Sequence, residues 1–190
     1  MAGDLGMRED EVDPRAQEIL DFWFGLTKEQ QFARDDALDA GIAERFGALR
    51  EQVKDSDAAG WRDRPATLLA AVILLDQFSR NLHRGSAEAF GADPLARELT
   101  GAAILHGWDR EMPAAWRVFL YMPLMHSEDA ATQAHSVAMF EDLGEAENLT
   151  FARDHADVFA RFGRFPSRNA ALGRESSAAE QAYLEEGGGW

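Results

Sequence analysis

The chain has 190 residues, 46% of them hydrophobic, which suits one domain with a full-sized core and excludes a disordered protein. Its formal net charge of −15 repels phosphate backbones and anionic lipid, so neither nucleic acid nor a membrane is an expected partner. The absence of cysteine removes disulfides, thiolate metal sites and a cysteine nucleophile.

Residues 1–12 are acidic and polar and carry no hydrophobic signal region, so they are expected to form a mobile tail on a cytoplasmic protein. No apolar run approaches the roughly 20 residues of a membrane span. Asp13-Pro14 then reads as an N-cap and first helical residue. Ile19, Leu20, Trp23 and Phe24 follow at helical spacing, and Gly25 supplies a stop. A longer helix is expected over 35–54, with Leu38, Ile42, Phe46, Leu49 and Val53 as its apolar stripe.

Pro65 opens the most informative stretch. Leu68 to Leu75 is uninterruptedly apolar and leads into Asp76, Gln77, Ser79, Arg80, Asn81, His83 and Arg84. On one helix Asp76, Arg80 and Arg84 share a face, with Gln77 and Asn81 beside them. A helix this apolar is expected to be buried and to carry its polar end inward, where charges need partners or a ligand.

Asp93-Pro94 starts a further helix ending near Gly107, and Pro113 another. Pro123 is expected to kink or end the latter near Met122. Ser127, followed by Glu128 and Asp129, reads as the cap of the next helix, which stops at Gly144. A helix over 148–162 ends at Gly163. Ser177 and Glu180 form a capping box for a short last helix, followed by an expected flexible tail, 187–190. No stretch alternates like a strand. The chain reads as all-α, a single helical domain over 13–186 of about seven or eight helices, joined by short loops that favour antiparallel hairpins.

The segments DFWFG (21–25), LLDQFSRN (74–81), RG (84–85), AFGADPLA (89–96), FLYMPLMHSED (119–129) and RFGRFPSRNAALGRESS (161–177) resemble, in order from about residue 17 to the C-terminus, the bacterial family catalogued as domain of unknown function 924. The resemblance implies a tetratricopeptide-like stack of antiparallel helical hairpins and no established activity. Ser79, His83 and Ser167 depart from its pattern, where Pro, an aromatic residue and His are usual. A histidine-dependent task in the FPSRN loop is therefore not expected here.

Three constellations carry the candidate chemistry. Asp76, Gln77, Arg80, Asn81 and Arg84 form either a charged pocket wall gripping carboxylate or phosphate, or a satisfied structural network. Tyr121, His126, Ser127 and Glu128 offer acid–base groups, or local caps. His155, Arg161, Arg164, Arg168 and Asn169 place two loop arginines in an acidic protein, as an anion site or as loop anchors. The five histidines show no metal-ligand spacing, and neither metal nor cofactor is expected. The aromatic residues read first as core.

Two functions fit. One is a binding module for a peptide or small anionic ligand, held by Gln77, Arg80, Asn81, Arg84, Tyr121, Arg164, Arg168 and Asn169. The other is a hydrolase of a small anionic substrate, with Asp76, His126, Glu128 and His155 as candidate catalytic groups and Arg80 or Arg164 steadying negative charge. Whether the chain is an enzyme is left open by the sequence.

Overall fold

The computed structural model describes residues 13–189. The expected tail over 1–12 and the terminal Trp190 lie outside the described residues. The described part is all-helical, with no strand. Its α-helices are α1 (Pro14–Gly25), α2 (Lys28–Phe32), α3 (Asp36–Asp55), α4 (Pro65–Ile73), α5 (Ser79–Leu82), α6 (Asp93–Leu105), α7 (Ala114–Met125), α8 (Ala130–Leu143), α9 (Ala146–Phe162) and α10 (Ala178–Glu185). No described helix is long and apolar enough to cross a membrane. The described residues divide into two compact units, the first comprising 13–84 with 88–123, the second 85–87 with 124–189.

In the first unit α4 is the centre. It packs against α1 and α6, and every residue from Ala66 to Ile73 is buried. Enclosure on several sides explains why its sequence is apolar all round rather than on one stripe. Between α4 and α5 the helix widens into a π-turn, Leu74–Phe78, all five residues of which are buried. Short π segments are often found at functional sites. This one carries Asp76 and Gln77 into the interior.

Helix ends follow local chemistry. Asp13 accepts from Arg15 N, and Asp35 accepts from Ala37 N and Leu38 N, each cap contributing about 1 kcal/mol. Helix α2 was not foreseen, although Thr27 and Gln30 form the capping box that opens it. Two expectations are corrected. Pro123 lies inside α7, which continues to Met125, so the helix does not end near Met122. Three residues before the proline, the Leu120 carbonyl also accepts from the Thr100 hydroxyl at 2.8 Å. The cap of α8 is Asp129, which accepts from Thr132 N, and not Ser127. That shift releases Glu128 for other bonds.

In the second unit α8 and α9 pack together across the two-residue connection Gly144–Glu145, where Gly144 takes φ +78°, a backbone conformation that glycine adopts without a Cβ penalty. Ser177 and Glu180 form the expected capping box of α10. Gly188 N donates to the Tyr183 carbonyl at 2.9 Å, so the start of the C-terminal segment turns back on α10.

Candidate functional site

The polar end of the α4–α5 helix is buried and thoroughly paired. Asp76 is fully buried. Arg80 Nη1 reaches its carboxylate at 2.9 Å and its carbonyl at 2.8 Å. Asp93 takes the same guanidinium in a two-point contact at 3.0 and 3.1 Å. Burial by itself lowers the Arg80 pKa, but Asp76 and Asp93 outweigh it and hold the pKa above its usual value. Gln77 donates to Asp76 and contacts Met122 Sδ at 3.3 Å. Asp39 receives Asn81 at 2.7 Å and both Arg84 Nε and Nη2, at 2.9 and 3.0 Å. The four candidate ligand-binding residues here are thus engaged with carboxylates of the same unit.

A third guanidinium completes this network, and sequence reasoning missed it. Arg50 on α3 is fully buried and donates to Ser79 Oγ at 2.9 Å, Glu51 at 2.7 Å, and the Glu88 carboxylate and carbonyl at 3.1 and 3.2 Å. Lys54 also bonds Glu88. These bonds from Lys54 and Arg50 hold the Glu88 carboxyl down to about 2. The signal was present: Ile42, Phe46 and Val53 define the buried face of α3, and Arg50 sits in register with them.

Tyr121 is also fully buried in the first unit. Its hydroxyl donates to Asp109 Oδ2 at 2.7 Å and accepts from Arg117 Nε at 3.1 Å. Burial, then the Asp109 bond, push the phenol up to about 12. The second Asp109 oxygen is buried without a hydrogen-bond partner.

In the second unit His126 and Glu128 of the second constellation meet His155 and Arg168 of the third. Glu128 accepts from Phe165 N at 2.7 Å and from Arg174 Nη1 and Nη2 at 2.7 and 2.9 Å. Burial would raise its pKa, but these bonds hold it below the usual carboxylate value. Arg168 donates to the His126 carbonyl at 2.9 Å and lies 4.7 Å over the Phe165 ring. The His126 and His155 rings are 5.9 Å apart, and His155 meets Phe165 edge-on at 5.5 Å. His155 is buried and its Nδ1 lies 2.8 Å from the Phe151 carbonyl. Asn169 donates to Ser176 Oγ and accepts from Arg174 Nε, at 3.0 and 2.9 Å. Gln133 anchors the segment before α8 by donating to the Met125 and Ser127 carbonyls. Arg174 was not singled out in the sequence, although it lies within the distinctive 161–177 segment.

An open depression of about 480 Å³ in the second unit is lined by Arg161, Phe162, Arg164, Ser177, Ala179 and Glu180. Arg164 Nε and Nη2 grip the two Glu180 oxygens at 2.6 and 2.9 Å, and Ser177 N adds a third bond at 2.7 Å. Arg164 and then Ser177 hold the Glu180 pKa far below its usual value. Arg161 is different. Its guanidinium lies 4.6 Å from the Phe162 ring centroid and 5.7 Å from that of Tyr183. It has no carboxylate partner among the described residues. A guanidinium laid on aromatic faces keeps its donor fork available at its edge.

Among the described residues no group of three or more His, Asp or Glu side chains is placed to hold a metal ion. A family profile described as "Bacterial protein of unknown function (DUF924)" matches residues 19–188. The chain is similar to a solved structure described as "Structure of Protein of Unknown Function ATU0120 from Agrobacterium tumefaciens", at 38% identity. That match covers 90% of this chain and 97% of the other, with a TM-score of 0.86. No curated protein matches.

Proposed function

The chain belongs to the DUF924 family of bacterial proteins of unknown function, and from its own geometry we propose that it is a binding module for a small anion or a peptide carboxylate, taken at the open depression of the second unit. The carrying observation is Arg161. Arg80, Arg84, Arg164 and Arg174 are each gripped by carboxylates, whereas Arg161 presents an aromatic-backed donor fork to an open surface. A planar two-oxygen anion matches such a fork. Arg164 neutralises Glu180 beside it, which leaves the charge of Arg161 for the ligand. The tetratricopeptide-like stacking of hairpins belongs to the same reading, supported by the tight α8–α9 hairpin.

The hydrolase alternative finds less support. Glu128 is held by Arg174, and its lowered pKa makes it a poor general base near neutrality, where an effective base has a pKa near the working pH. Asp76 is committed to Arg80 and Gln77.

A thermal-shift and calorimetric titration with acetate, against chloride at equal ionic strength, tests the proposal. An open site predicts dissociation constants on the order of millimolar, with stabilisation that grows by mass action. Arg161→Ala, which loses no hydrogen bond, abolishes the response. A wild-type protein indifferent to every small anion, or an Arg161→Ala variant that responds as wild type does, overturns it.

A further inference from the structure

We infer that Gly187–Gly189 form a strap that switches the Arg161 site: closed on Ser167 it confines the Tyr183 ring beside Arg161, and released it frees that ring. The inference rests on the anion-binding reading above and adds its regulation. Three features of the second unit carry it.

The first is the path of the chain. Gly187 takes φ +84° just past α10, and Gly188 N donates to the Tyr183 carbonyl at 2.9 Å. That reversal closes off the helix. Gly189, at φ +108°, then lies against Ser167, where a Cβ on the glycine would fall 2.8 Å from the Ser167 Cβ. Gly188 and Gly189 therefore carry the chain from the end of α10 to the Pro166–Arg168 turn, against which α10 itself packs.

The second is the position of Tyr183. Its ring meets Phe162 at 5.2 Å between centroids, and the Arg161 guanidinium lies 5.7 Å from its centroid. Gly188 approaches the same ring so closely that a Cβ there would run into it. The ring is thus in contact with the strap and with the cation at once. A strap that opens gives the ring space to change rotamer, and a rotated ring no longer backs Arg161.

The third is the composition of the strap. It is glycine throughout, so closing it buries no side chain, and opening it returns the large backbone entropy that glycine gives up on folding. Against that stand the Gly188–Tyr183 hydrogen bond and the Ser167 contact. Closed and open forms are therefore close in free energy, the condition under which a ligand shifts a population. An anion that binds Arg161 better with Tyr183 in place pulls the strap shut, and a closed strap raises the affinity for the anion by the same factor.

The full chain is followed by NMR, through the exchange rate of the Gly188 amide and the nuclear Overhauser contact between Gly189 and Ser167, and by calorimetric titration with sodium acetate at constant ionic strength. The wild type shows the contact, and saturating acetate slows Gly188 exchange about fivefold. Gly189→Val, whose branched side chain does not fit beside Ser167, loses the contact, speeds Gly188 exchange and weakens acetate by the same factor of about five. The acetate effect on exchange is read on the wild type and does not depend on how the variant folds. Acetate affinity unchanged in Gly189→Val, or Gly188 exchange indifferent to bound acetate, overturns the inference while leaving anion binding in place. A wild type without the Gly189–Ser167 contact overturns it too. A wild type that binds no acetate overturns both.

Discussion

Glu128 and Arg174, 46 residues apart in sequence, meet through two hydrogen bonds at 2.7 and 2.9 Å. The same carboxylate also receives Phe165 N, so one side chain ties the segment before α8 to the loop after α9. Both partners are largely buried, each with side-chain exposure of 23%. Arg174→Met leaves the carboxylate short of its main partner and costs about 2–3 kcal/mol, less than a fully buried pair would. Chemical denaturation measures it, and an unchanged midpoint contradicts the role given to the pair.

Arg50→Met removes the donor to Ser79 and Glu88 from the interior of the first unit. With Arg50 fully buried, the loss is about 1–3 kcal/mol, because Ser79 Oγ and the Glu88 carbonyl lose their donor. Glu44→Gln on the exposed face of the same helix is the control and changes stability by less than about 0.5 kcal/mol.

Asp76→Ala strips one of two carboxylates from Arg80. Since Asp93 retains its two-point grip, the cost is about 3 kcal/mol, the lower end for a broken buried pair. Thermal unfolding of Asp76→Ala and Asp93→Ala, singly and together, separates the two contributions.

Acid and base act on different groups. The Glu88 carboxyl is lowered from 4.5 to about 2, so its contribution is complete above pH 4.5 and lost as the pH falls towards 2. Glu88→Gln flattens the acid limb of the stability curve in that window. The Tyr121 phenol is raised from 10 to about 12, so its contribution is complete below pH 10 and lost as the pH rises through 12. Tyr121→Phe removes that alkaline limb, and it costs about 1–3 kcal/mol at neutral pH by leaving Asp109 without its donor. Wild-type-like pH limbs in either variant count against these assignments.

Gly188→Ala probes the aromatic backing of Arg161. A Cβ there falls within 2.4 Å of the Tyr183 ring, so the ring must move. The fold loses about 1–3 kcal/mol as the ring is displaced. Acetate affinity at Arg161 falls. Unaltered affinity with a displaced ring would show that Tyr183 does not orient the cation.

The helices and the burial of the Asp76 end were legible in the residues alone. Both rest on local rules: apolar spacing, Asp-Pro starts, glycine stops, and the requirement that an enclosed helix carry its polar end into the interior. Even the missed α2 was legible in Thr27 and Gln30, and the buried Arg50 in the register of α3. Which charge answers which follows from the packing of distant segments. Asp129 rather than Ser127 caps α8, which frees Glu128 for a partner 46 residues away. Arg80 and Arg84 are claimed by Asp93 and Asp39, while Arg161 is left on two rings. Helical spacing depends on neighbours three or four residues away. An ion pair depends on which distant segments the packed core brings within about 3 Å, and no local pattern encodes that distance.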